Sequence, residues 1–175
     1  MAGMEAVGTI LEREGDALEV LLFKLIETNL LIEAGEARFL PRATREVERA
    51  RNRARELDLL RATTVARTRS TATLRELAAT APGPWPAILR DHHDVLSRLV
   101  SEIEVVAHLN ARLAREGLDL LAHDPVRATV GAGAPASGRP IRNAELDRLA
   151  RGAALDAVLG TAARLRMPDL IEFLR

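Results

Sequence analysis

The chain has 175 residues, and its 25 Lys+Arg balance its 25 Asp+Glu, so the formal net charge is zero. That balance excludes a nucleic-acid grip built on overall charge, and the lack of cysteine excludes a disulfide framework or a thiolate metal site. The length fits one domain with or without a tail, and 2% aromatic residues are too few for a β-sandwich or a base-stacking surface.

Met1 to Ile10 has neither a basic start nor an apolar core, and no stretch reaches the roughly 18 apolar residues of a membrane span. A cytoplasmic protein is expected. Its apolar mass is Leu and Ala, which favour helix.

In the first segment Val7, Leu11, Leu18, Leu21, Leu25 and Ile32, with Glu14 and Thr28 in the remaining slots, step by four and three, the spacing of a coiled-coil seam. A second stripe, Ile10, Ala17, Leu22, Ile26 and Leu30, widens the apolar face enough for two neighbours. Gly35 is placed to stop the helix. A second helix opens near Pro41, with the smaller seam Leu40, Ala43, Val47, Ala50, Ala54 and Leu57; Arg61 and Thr64 continue the register but weaken it. A short helix over Thr73 to Ala79 precedes the break APGPWP at 81–86.

The third long segment is the most regular. Trp85, Leu89, His92, Leu96, Leu99, Ile103, Val106, Asn110, Leu113, Gly117 and Leu120 keep the step throughout, which predicts a helix of roughly 38 residues and about 57 Å. Residues 124–141, with the run GAGAPASGRP, read as a flexible Ala/Gly/Pro linker. The linker divides a bundle at 1–123 from an amphipathic segment at 142–175 that binds a client or docks on the chain's own groove. The expected fold is all-α: an elongated antiparallel bundle or coiled-coil hairpin with a long third helix and a mobile C-terminal segment.

Charge is segregated along the chain. Residues 5–36 hold eight acids and two bases, whereas 38–69 hold ten arginines and four acids. An acidic helix followed by a basic one is expected to pair along its length as a hairpin, the signs selecting the partner.

Few residues carry chemistry. His92 and His93, between Asp91 and Asp94, are adjacent and diverge by about 100° on a helix, so they do not form a metal pair; His92 fills a seam slot and His93 is expected to be exposed. No catalytic residue, metal ligand or cofactor site is assigned. Asn110 in the seam reads as a register-setting polar residue, or as a donor to a bound helix. The arginines of the second helix are interleaved with acids and read as a solvated or hairpin-facing surface rather than a nucleic-acid surface.

Three stretches resemble one family: LEVLLFKLIETNLLIEAGEARFLPRATREVERA (18–50), RELAATAPGPWPAILRDHHDVLSRLVSEIEVVAHLNARLAREGLDLL (75–121) and, more loosely, PDLIEFLR (168–175). In order and spacing they resemble the FlgN family of flagellar export chaperones, particularly its actinobacterial forms. The resemblance implies a non-enzymatic cytoplasmic chaperone that binds the C-terminal helices of the hook-filament junction proteins FlgK and FlgL. It would prevent their premature assembly and bring them to the flagellar type III export gate and ATPase complex. It further implies a client surface of Leu113, Leu118 and Leu121 with Leu146, Leu149, Val158, Leu159, Leu165, Leu170, Ile171, Phe173 and Leu174. No nucleic acid, membrane insertion or cofactor is implied. The apolar terminus after a tether suggests that Leu170, Ile171, Phe173 and Leu174 lie in the client groove of the free chaperone. The alternative is a structural coiled-coil adaptor unrelated to secretion.

Overall fold

The computed structural model describes residues 2–68, 73–123 and 139–175. Among these the helices are α1 (Ala2–Glu33), α2 (Leu40–Thr68), α3 (Leu74–Thr80), α4 (Trp85–His123), α5 (Arg139–Ala163) and α6 (Pro168–Leu174), with a 3-10 turn over Ala37–Phe39 before α2. No strand occurs among the described residues. The expected linker lies outside them for residues 124–138, and Arg139 already belongs to α5.

The helix ends have local causes. Gly35 takes φ +70, which lets Glu36 N–H reach the carbonyl of Leu31 and Gly35 N–H that of Ile32, closing α1 with a Schellman motif. Thr73 and Glu76 form a reciprocal capping box that starts α3 and satisfies N–H groups its first turn would otherwise leave bare. Gly83 (φ +62) turns the chain into α4, which runs for 39 residues.

Four helices alternate in direction. α1 and α2 form an antiparallel hairpin, with Glu14 opposite Arg61 and Lys24 opposite Glu46. α4 runs parallel to α1: a Cβ on Gly8 would lie 2.9 Å from the Trp85 ring, and Asn29 bonds Asn110. α5 descends antiparallel to α4, where Gly117 admits Leu155 at 2.9 Å from where its Cβ would stand. It runs parallel to α2, and Arg164 reaches Glu48. The short α6 continues downward and closes the lower half against α3 and α4.

The seam fills as its spacing predicts. Val7, Leu11, Glu14, Leu18, Leu21, Leu25 and Thr28 of α1 are buried, as are Leu40, Ala43, Val47, Ala50, Ala54, Leu57 and Arg61 of α2. Val65 rather than Thr64 takes the last buried place on α2. Of the second α1 stripe, Ile10, Ala17 and Leu22 are buried, but Ile26 and Leu30 remain exposed. Leu120 is also exposed, because Asn110 sits level with Asn29 and the last turns of α4 run past the end of α1.

The charge pattern is used differently from expectation. Among the described residues Glu14 is the α1 carboxylate ion-paired to an α2 arginine, and Lys24–Glu46 crosses the hairpin with the signs reversed. Arg42, Arg51 and Arg53 instead pair within α2, with Glu46, Glu48 and Glu56. Apolar residues occupy the facing positions, so most charges on the two outer faces point away from each other.

Asn110 is a register device inside the bundle. Its Nδ2 donates to Leu25 O at 2.9 Å, and its Oδ1 accepts from Asn29 Nδ2 at 3.0 Å. Asn110→Ala should cost about 1–3 kcal/mol, since it strands the buried Asn29 amide and the Leu25 carbonyl. Urea unfolding measures this, and Asn29→Leu/Asn110→Leu should recover most of the loss.

Candidate functional site

The overhang of α4 beyond α1 builds an open groove at one end of the bundle. Its volume is about 660 Å³. Leu31, Ile32 and Leu40 lie along the α1–α2 turn, Leu121 comes from the end of α4, and Leu155 from α5. A small separate core of Leu40, Ala114, Ala154, Leu155 and Val158 supports it, with Leu118, Leu121 and Leu159 packed at its edge. Apolar side chains stand exposed at the same end: Leu120 at 71%, Leu146 at 57% and Leu149 at 61%. Arg148 donates to the carbonyl of Leu121, which ties the start of α5 to the end of α4.

The residues proposed for client contact fall into two groups. Leu113, Leu118 and Leu121 are half-buried, and Leu146 and Leu149 are open to solvent. Val158 is buried and Leu159 half-buried against the small core. Leu165, Leu170, Phe173 and Leu174 are buried in the main core, with Ile171 packed on it. The free chain therefore covers its own C-terminal apolar residues, and α5 with α6 fills the space between α2 and α4.

Four contacts hold that segment. Arg164 pairs with Glu48, and Arg51 donates to the carbonyl of Arg164 at 3.3 Å. His93 Nε2 lies 3.0 Å from the carbonyl of Leu174. Expected to be exposed, His93 is half-buried, because α6 packs over its face of α4. Finally, the Arg61 guanidinium lies 4.1 Å from the Phe173 ring centre, a cation–π contact.

Arg61 is the residue that sequence reasoning undervalued. It is fully buried between Glu14 of α1, Asp58 of its own helix and Phe173 of α6. Its Nε–H donates to Glu14 Oε1 at 3.3 Å, and Oε2, 3.0 Å from the same nitrogen, is buried without a well-aligned hydrogen bond. Burial pushes the Glu14 carboxyl up to about 7, against the pull of Arg61. The available signal was two seam slots filled by opposite charges on consecutive antiparallel helices.

A family model described as FlgN protein matches residues 1–123. The chain belongs to the FlgN family. It is a flagellar export chaperone in general role, and α5 and α6 lie beyond the matched span. No curated protein and no solved structure matches it. Among the described residues no helix of this FlgN-family chain is long and apolar enough to cross a membrane.

Proposed function

We propose that this FlgN-family chain binds the C-terminal helices of the hook-filament junction proteins FlgK and FlgL in the cytoplasm, keeps them from assembling early and delivers them to the export gate. The observation that carries this reading is the open apolar groove at the α4–α5 end, bordered by exposed leucines. An amphipathic helix laid there would present apolar residues at i, i+3, i+4 and i+7. Burying about five aliphatic side chains contributes on the order of 10 kcal/mol gross. Association and ordering costs remove much of that, leaving affinity in the micromolar to high-nanomolar range. In the free chain α6 and the end of α5 cover the face between α2 and α4, and the client extends from the groove onto that face once they swing away.

Co-purification with FlgK and FlgL tests this. Leu120→Gln/Leu149→Gln should weaken capture by about tenfold or more while leaving thermal melting unchanged, because both side chains are exposed in the free chain. Full retention of both clients would overturn the assignment of the groove. A stable oligomer of the chain with no client captured would favour the adaptor reading instead.

A further inference from the structure

The outer face of α1 carries more apolar surface than the fold uses. α1 packs against α2 on one flank and α4 on the other. Yet Phe23 is 61% exposed and Leu30 58% exposed, with Ile26 between them. Positions 23, 26 and 30 are spaced by three and four, so they form one stripe on one face of the helix. The stripe is distant along the bundle from α6, and none of its residues lines the groove at the α4–α5 end. The wide apolar face legible in the sequence thus meets its two neighbours and still leaves a remainder.

The charges around that remainder are also unused. Glu12, Asp16, Glu19 and Glu33 are exposed on α1, and none has an ion-pair partner among the described residues. On α2, Arg42, Arg51, Arg53 and Arg61 pair with carboxylates of the chain itself, while Arg45, Arg49 and Arg55 are exposed with no ion pair among the described residues. Glu12, Asp16 and Glu19 precede Phe23 and Glu33 follows Leu30 by the same steps of three and four, so unpaired acids and apolar residues share one line along the helix, complementary to a helix whose apolar stretch is continued by basic residues on the same face. The chain supplies one example already: the helix on the other flank of α1 is α2, which is amphipathic and arginine-rich. A second copy of α2 fits less well in that role, because its apolar seam of Val47, Ala50, Ala54 and Leu57 is already buried in its own bundle.

We infer that the exposed Phe23–Ile26–Leu30 face of α1 is a second docking surface, whose partner is a basic amphipathic helix of another protein. It is separate from the junction-protein groove and goes beyond that reading. The acids steer the partner, and the phenylalanine anchors it.

Two designed peptides of about 18 residues, roughly 27 Å when helical, serve as probes. Both carry leucines on one half of one face; on the other half of that face one has lysine and the other glutamate. Fluorescence anisotropy with the full chain should show binding of the lysine peptide, weakening as salt rises, and no binding of the glutamate peptide. Phe23→Ser/Leu30→Ser should weaken the lysine peptide by about tenfold or more, with melting unchanged. Glu12→Gln/Asp16→Gln/Glu19→Gln should flatten the salt dependence. Leu120→Gln/Leu149→Gln should leave peptide binding intact, which separates this surface from the client groove. Equal binding of the two peptides would overturn the inference, as would indifference to Phe23→Ser/Leu30→Ser. So would self-association that the same substitution abolishes, since the face would then belong to a second copy.

Discussion

Arg61→Met should destabilise the bundle by about 3–5 kcal/mol at pH 8, because it leaves the Glu14 carboxylate buried without its counter-charge. For a chain of this size each kcal/mol shifts the melting temperature by roughly 2–4 °C, so a fall near 10 °C is the expected reading. The substitution also removes the cation from the Phe173 ring, which loosens α6. Replacing both members, Glu14→Leu/Arg61→Met, should restore most of the loss. Two apolar side chains avoid the desolvation of two charges, and Asp58 at the edge of the cluster can be hydrated. A single variant no worse than the double would mean that the pair is not coupled.

The pH dependence follows from the same site. The folded chain keeps the Glu14 proton up to about pH 7, whereas an unfolded glutamate releases it near 4.5. Between those values the folded state holds more protons, so stability declines as pH rises and levels off above about 7. The decline should be on the order of 3 kcal/mol. Glu14→Gln, which cannot ionise, should flatten this part of the profile. The cost of Arg61→Met should likewise be smaller at pH 5, where Glu14 is already neutral. Denaturant unfolding from pH 4 to pH 8.5 measures all three.

Much of the architecture was legible because it depends on local spacing. The four-three steps of α1, α2 and α4 gave their buried faces, and Gly35 and the APGPWP run marked the end of α1 and the break before α4. The ion pair was not legible as such. Arg61 and Glu14 each read as a weak seam slot, and their meeting depends on the register of a hairpin spanning 47 residues of chain. The tail was half legible. Leu170, Phe173 and Leu174 were visibly apolar, but the path of α5 beside α2 is what delivers Phe173 to Arg61 and the Leu174 carbonyl to His93. The exposure of Leu120 has the same origin, since only the α1–α4 register shows that α4 outruns its neighbour.

Removing residues 168–175 should lower stability and raise client affinity together. Leu170, Phe173 and Leu174 are buried in the main core, and truncating even one large aliphatic side chain there costs about 2–5 kcal/mol. Without α6, the rest of the segment is held by α5, whose descent beside α4 leaves an open space of about 840 Å³ lined by small residues such as Ala107, Ala111 and Gly160. A client helix that needs the face between α2 and α4 must first displace the segment, so its apparent affinity is its intrinsic affinity scaled by the fraction of chains already open. Loosening the anchor raises that fraction. Phe173→Leu tests the same step with the core retained: it keeps an apolar side chain in the main core but gives up the contact with Arg61, worth about 0.5–2 kcal/mol, and should strengthen client binding several-fold. Titrating labelled junction-protein helices against the intact chain, the truncation and Phe173→Leu distinguishes the cases. Unchanged affinity would place the client on the end groove with the segment still seated, and weaker affinity would make the tail part of the grip; either result removes the idea that it masks the site.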